Sequence, residues 1–317
     1  MTLDARGALY AAAAAIFYGS SYVATAIALR SFDPITVAAW RGALAVVLLV
    51  GVLALPALAA LRPGRMTGAA LRRLCVLGLL HGAVFILAMN AAVDAAGATV
   101  TAFVAGLYAV LAALLAVPIL GERIERRTLV ALLVALFGTL LLGNLQLNER
   151  TAIGIGLALV AAVAFGLFLV LSRRWSTAYS LSGPTVAVAA MTAGAVTGLA
   201  GSLVTGGQLL PPAPRVDAWL ALAWLGVGPG AMASVMIVAS TRRLAARHAS
   251  AFLLLNPPTA AILSLWLLGQ GLSPVQLIGG ACILVAIAAA SGLLAAGRTR
   301  MGRGPAGAVQ SPESPGD

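Results

Sequence analysis

The sequence predicts an all-α integral membrane protein with ten transmembrane helices, arranged as two inverted five-helix repeats. Three observations predict it. The chain is 61% hydrophobic and 9% charged over 317 residues, more apolar than a water-soluble domain of this length needs. Ten apolar runs alternate with short polar breaks, and a helix needs ~20 mostly apolar residues to cross a bilayer. A hairpin at 107–143 returns in outline at 255–291. Each copy is an apolar run, a glycine turn (Gly121, Gly269), a short polar loop and a second apolar run. Gly7 and Gly19 likewise return as Gly154 and Gly166. Repetition at this spacing divides the chain into repeats at 1–148 and 149–296. A polar tail rich in Gly, Pro and Ser, 297–317, is expected to be disordered.

The spans fall at 7–29, 34–55, 73–93, 98–120, 128–144, 152–171, 183–204, 218–240, 249–269 and 274–296. The first is too long for a signal peptide and is read as a retained helix. Phe32-Asp33-Pro34 separates it from the second, and Arg62-Pro63-Gly64 ends the second. Asp94–Gly97 and Gly121-Glu122-Arg123 bound the fourth. Asn144–Arg150 closes the first repeat. Arg173-Arg174, Gly206–Asp217, Thr241–His248 and Gln270–Pro274 punctuate the second. Gly and Pro occur in most of these breaks, as turns require.

Net charge is +11 and every basic residue is Arg, clustered between apolar runs. That pattern records membrane topology rather than a nucleic-acid surface. With the N-terminus inside, sixteen arginines fall on inner segments and Arg30, Arg150 and Arg215 on outer loops; Arg41 lies within a span. Both termini are therefore expected in the cytoplasm, in a multi-pass protein of the bacterial inner membrane. Five spans per repeat is an odd number, so the copies enter the membrane from opposite sides. Exchange of conformation between inverted copies converts an inward-open cavity into an outward-open one. Cys75 and Cys282 lie inside apolar runs and imply no disulfide.

Several stretches carry a family resemblance. Ala15–Ala24 reads AIFYGSSYVA, an aromatic followed by Gly-Ser and a second aromatic. Trp40-Arg41 stands in the second span, Leu120-Gly121-Glu122-Arg123-Ile124 ends the fourth, and Asn256-Pro257 lies in the ninth. Together these resemble the EamA-type branch of the drug/metabolite transporter superfamily, over residues 7–296. The resemblance implies a ten-helix fold and export or exchange of small metabolites, amino acids among them. The first copy has Tyr108-Ala109 where the second has Asn256-Pro257, and Gly269-Gln270-Gly271 replaces Gly-Glu-Arg. The first span lacks the acid that small multidrug pumps of the superfamily use for cations, which weighs against a cationic drug.

Ionisable groups within spans are costly and mark candidate sites. Arg41 either clamps a substrate carboxylate bidentately or is structural, snorkelling outward or pairing with Asp33 or Asp94. His81 either carries a proton or is a neutral histidine bonded to backbone. No metal site is suggested, and Glu122 with Arg123 reads as a helix-end ion pair. Tyr18, Ser21 and Tyr22 on the first span, Phe103 and Tyr108 on the fourth, and Asn256 on the ninth are candidate cavity-lining residues. Pro257 and Pro258 are expected to break the ninth helix near mid-span, as at transporter binding sites. Trp224 and Trp266 read as packing or interfacial residues.

No P-loop is present, and no cofactor is expected. The expected activity is secondary transport of a small metabolite, an amino acid or related carboxylate first, by alternating access. Transport of drugs, nucleotide sugars or sugar phosphates is the alternative within the superfamily. A lipid-modifying enzyme needs convergent catalytic groups, and neither His81 nor His248 has an acidic pair beside it. The expected partners are a small-molecule substrate and the bilayer, without nucleic acid. Two copies in one chain make a monomer sufficient, with a dimer possible.

Overall fold

The computed structural model describes residues 5–54, 66–121, 126–142, 148–179, 181–210, 215–241 and 252–290. Glu122, Arg123, His248 and the polar tail lie outside these residues. Among the described residues every regular element is helical. In chain order they are α1 (Ala5–Ala28), α2 (Pro34–Ala54), α3 (Gly68–Ala96), α4 (Ala98–Leu120), α5 (Arg126–Leu142), α6 (Glu149–Tyr179) and α7 (Gly183–Thr205). Then come α8, which starts at Val216 and reaches Thr241, α9 (Asn256–Leu268) and α10 (Pro274–Ala290). Seven of them, α1 to α4 and α6 to α8, contain stretches long and apolar enough to cross a membrane. The apolar cores of α5 and α10 are shorter, Leu129–Leu141 and Pro274–Ala286.

The ends follow local chemistry. Asp33 Oδ1 accepts from the Ile35 and Thr36 amides, both at 2.9 Å, and so caps α2. Thr67 and Ser182 do the same for α3 and α7. These side chains satisfy amides that a helix start leaves without partners. Gly121, Gly206 and Gly269 end α4, α7 and α9 at φ of +72°, +71° and +66°, a left-handed conformation that Gly adopts without strain. The two turns read as equivalent in the repeats, Gly121 and Gly269, thus share one backbone geometry.

Three helices depart from the continuous spans expected. α3 begins five residues earlier than expected, because Thr67 caps it there, and it contains π turns at Leu79–Phe85. α8 contains π turns at Gly226–Met232, with Pro229 inside them. Both limits of these segments are offset by 147 residues, the spacing that separates Gly7 from Gly154. α4 is also interrupted: it is helical over Ala98–Ala105, turns at Gly106–Leu107 and resumes at Tyr108. At the matching place in the second half, a 3-10 turn at Leu253–Leu255 leads into α9.

Packing is helix on helix. α2 lies along α7, α5 along α10, α6 against α3 and α4, and α1 between α8 and α9. Lipid tails supply no hydrophobic drive between helices, so association relies on van der Waals packing, which small residues favour by letting backbones approach. A Cβ on Gly82 of α3 would overlap the Ala190 carbonyl oxygen of α7. A Cβ on Gly19 of α1 would lie 2.7 Å from the Asn256 carbonyl oxygen of α9.

The end of the bundle where α1 starts is termed proximal and the opposite end distal. At the distal end Arg30 and Arg215 both reach Asp217, at 3.2 and 3.0 Å, and Arg150 reaches Asp94 at 3.1 Å. Every arginine expected outside is thus ion-paired. At the proximal end Arg73 stacks over Trp175 at 4.8 Å and Arg174 donates to the Ile119 carbonyl. The described acids, Asp33, Asp94, Glu149 and Asp217, all lie at distal helix ends.

Candidate functional site

Arg41 is two turns into α2 and only 3% exposed. Its Nε and Nη1 have no hydrogen-bond partner. The acids considered for it are engaged elsewhere: Asp33 caps α2 and also accepts from the Thr36 hydroxyl, and Asp94 holds Arg150. Thr36 continues into a hydroxyl pair with Ser202 of α7 at 3.0 Å. A guanidinium cannot shed its charge in this setting, and an unpaired buried cation is costly. The arrangement is a buried cation with unused donors at Nε and Nη1.

What surrounds Arg41 comes from several helices. The Tyr18 and Tyr22 hydroxyls of α1 and His81 of α3 lie within electrostatic range of it. Tyr108, at the restart of α4, lies within range of both α1 tyrosines. Tyr18 and Tyr22 are one helical turn apart and so face the same way. Tyr18 is half-buried and also meets the Ser234 hydroxyl of α8. Ser21 is buried, and its hydroxyl donates to the Tyr18 carbonyl at 2.6 Å, so its polar end is spent within α1.

His81 stands inside the π turns and among rings. Its centroid lies 4.7 Å from Phe168, 5.1 Å from Phe165 and 5.4 Å from Phe85. Tyr108 meets Phe165 edge-on at 4.8 Å. The His81 Nδ1 has no hydrogen-bond partner, so the backbone bond considered for it is not made at that nitrogen.

Asn256 opens α9 and is buried, with its Oδ1 unpartnered. Pro257 and Pro258 fall in the first turn of α9, next to Asn256, whose carbonyl meets Gly19 of α1; residues 242–251 lie outside the described residues. A proline there costs little, because the amide it removes has no helical partner at a start. The discontinuity they mark is real but lies just before them, at Leu253–Leu255. Phe103 shares a buried apolar cluster with Tyr108, and its ring lies 2.9 Å from where a Cβ of Gly280 on α10 would be. Trp224 packs on Phe17 at 5.4 Å and donates to the Ser20 hydroxyl at 2.9 Å. Trp266 is 79% exposed.

The profile of the EamA-like transporter family matches residues 5–144 and again 152–292. This chain belongs to the EamA-like transporter family. Two curated relatives, each described only as an uncharacterized transporter, agree with that. One, from Clostridium kluyveri, is 25% identical over 292 residues, covering 88% of this chain and 91% of its own length. The other, from Archaeoglobus fulgidus, is 28% identical over 169 residues, or 53% of this chain and 58% of the relative. A solved crystal structure superposes with a TM-score of 0.64 over 94% of this chain and 99% of its own, at 20% identity. That likeness establishes the shared fold.

Within this EamA-like transporter, sequence reasoning singled out Thr25 on the face of the first span but missed Asn90, Thr99, Thr101 and Ser264. Asn90 of α3 is fully buried; its amide donates to the Pro34 carbonyl at 3.0 Å and its Oδ1 has no partner. Thr25, Thr99, Thr101 and Ser264 also have buried hydroxyls without partners, on α1, α4 and α9, which pack together. A polar residue alone in an apolar run was the available signal for Asn90. Phe85, Phe165 and Phe168 gave none, because a phenylalanine in a lipid-facing run looks the same as one in a site.

Proposed function

We propose that this EamA-like transporter carries a small carboxylate, an amino acid first, across the bacterial cytoplasmic membrane by alternating access, and that it does so as an exporter. The observation that carries the reading is Arg41, buried with two nitrogens unpartnered. Bidentate capture of a carboxylate supplies the missing bonds and cancels the charge. Tyr18, Tyr22 and Tyr108 would offer hydroxyls and ring edges to the same substrate. For an ammonium group, the buried acceptors are Asn256 Oδ1 and Asn90 Oδ1. Ring faces add to these. A cationic drug fits less well, since the described acids are all at distal helix ends.

Ten crossings, with α5, α9 and α10 completing the set, make the reading consistent with two repeats of opposite orientation. The proximal end is assigned to the cytoplasm on the arginine bias. The interruptions in α3, α4, α8 and before α9 provide places where helices can bend.

The test is uptake of labelled amino acids and organic acids into proteoliposomes, beside thermal stabilisation of the detergent-purified protein by the same compounds. A ligand that binds only the folded state raises its apparent stability. Stabilisation by carboxylates, lost in Arg41→Ala, supports the anchor. Stabilisation by cations alone overturns it.

A further inference from the structure

Several helix hydroxyls in this molecule are satisfied within their own helix. Thr139, Thr197, Thr205 and Ser234 each donate to the carbonyl four residues back, and Ser20 and Ser21 to the one three back. Thr25 of α1 and Thr101 of α4 do not: both are fully buried, and their hydroxyls have no partner. Asn90 of α3 is fully buried as well. Its side-chain nitrogen donates to the Pro34 carbonyl, which can only accept. That fixes the orientation of the amide and leaves Oδ1 as the end without a partner.

The three oxygens belong to one region. Thr25 follows Tyr18 by seven residues and Tyr22 by three, so it shares their face of α1. Thr101 precedes Tyr108 by seven, and Gly106 and Leu107 between them keep right-handed helical φ and ψ, so the two share a side of α4. Tyr108 lies within electrostatic range of Tyr18 and Tyr22, which turns the faces bearing Thr25 and Thr101 toward each other. Asn90 is tied to Pro34, two turns distal of Arg41 on the same face of α2. A long side chain leaves its helix toward the N-terminus, which for α2 brings the guanidinium toward the level of Asn90. Tyr22, Met89 and Ala102, neighbours of the three, fall in one buried cluster. Thr99, two residues from Thr101, is on the other side of α4. Asn256 meets the Gly19 face of α1, about 100° round from Tyr18.

An ammonium group has three donors, and three acceptors from three helices match them. Their neutrality has a reason. A carboxylate at this place would pair with Arg41 and remove the anchor, whereas an amide and two hydroxyls accept from a cation and leave Arg41 open.

We propose that Asn90 Oδ1 with the Thr25 and Thr101 hydroxyls is the ammonium subsite of this transporter, so that its substrates are zwitterions and plain carboxylates are rejected. The proposal rests on the assignment of the substrate carboxylate to Arg41. A ligand without an ammonium leaves the three oxygens unpaired in a closed site, and that is the source of the rejection.

The test uses the full-length protein in detergent and probe pairs that differ only in the amino group. These are L-alanine with propanoate, L-leucine with 4-methylpentanoate and L-phenylalanine with 3-phenylpropanoate. Thermal stabilisation titrated with each gives an apparent affinity. The parent should bind an amino acid about tenfold or more tighter than its deaminated partner, the worth of a hydrogen bond to a charged group. Thr25→Val/Thr101→Val keeps the shape and removes two oxygens. It should unfold no earlier than the parent, because the hydroxyls it removes are unsatisfied. It should lose most of the preference while the deaminated acids bind as before. Asn90→Leu should do the same but also breaks the bond to Pro34, so the threonine pair is the deciding variant. Equal affinities within the pairs, or a preference that the double variant retains, overturn the proposal and leave the carboxylate reading standing. Stabilisation by sodium chloride over choline chloride that the double variant loses also overturns it, and makes the oxygens a metal-cation site. Binding of the deaminated acids that survives Arg41→Ala, or no binding by any probe, overturns the carboxylate anchor and the proposal with it.

Discussion

Arg41 and His81 illustrate opposite fates for an ionisable side chain in a span. Both keep nitrogens without partners, Arg41 its Nε and Nη1 and His81 its Nδ1, but His81 is ringed by phenylalanines whereas Arg41 lies within range of tyrosine hydroxyls. Arg41→Lys keeps the charge and loses the planar fork. It should transport with a KM raised about tenfold or more, the order of one charge-assisted hydrogen bond, while kinetic assays of Arg41→Ala should find no transport at normal expression. His81→Phe should fold, transport and keep the pH profile of the parent, because the contacts of the ring are aromatic ones. A flattened pH profile in that variant would restore a proton-carrying role. Arg41 was legible in the sequence as a charge inside an apolar run. Its surroundings were not, since the acids considered for it, Asp33 and Asp94, turn out to be a cap and an ion-pair partner.

At the scale of the helices, close backbone contact is the main device. Gly82→Ala puts a Cβ onto the Ala190 carbonyl and should cost about 1–3 kcal/mol of stability, as overpacking does. Gly156→Ala, with nothing within 4 Å of its Cβ, should be neutral or slightly stabilising by helix propensity. Thermal unfolding of the two variants in detergent distinguishes them; equal losses would mean that the α3–α7 contact is not tight. Helix positions followed from hydropathy, and the turns from Gly and Pro. The breaks inside spans did not. Pro257 and Pro258 pointed to one, and a 3-10 turn at Leu253–Leu255 precedes them; Gly106–Leu107 and the two π segments carry no turn sequence of their own beyond single residues such as Pro229. A change of hydrogen-bond register leaves no mark on hydropathy.

For the whole molecule, the two ends differ in how they treat charge. Distal Arg30, Arg150 and Arg215 pair with Asp94 or Asp217, while among the described proximal arginines Arg73 stacks on Trp175 and Arg174 donates to a carbonyl. The orientation itself rests on the arginine bias of the sequence. A fluorescent protein fused after Asp317 should fold and fluoresce, and alkaline phosphatase at the same position should be inactive; the reverse pattern would invert the orientation. The repeat was legible as spacing, and the family match over 5–144 and 152–292 carries it independently of that spacing.

The π segments of α3 and α8 hold a record of another kind. Each houses a residue beyond what an α-helix of the same rise needs, and the two surplus residues fall at the same step of each half. Two separate insertions at one equivalent position are a less economical account than one insertion copied. The surplus residue then predates the doubling of the gene. Single-repeat descendants of that ancestor, pairing as two chains, should still carry it in their third helix, and a regular α-helix there would date the insertions after the doubling.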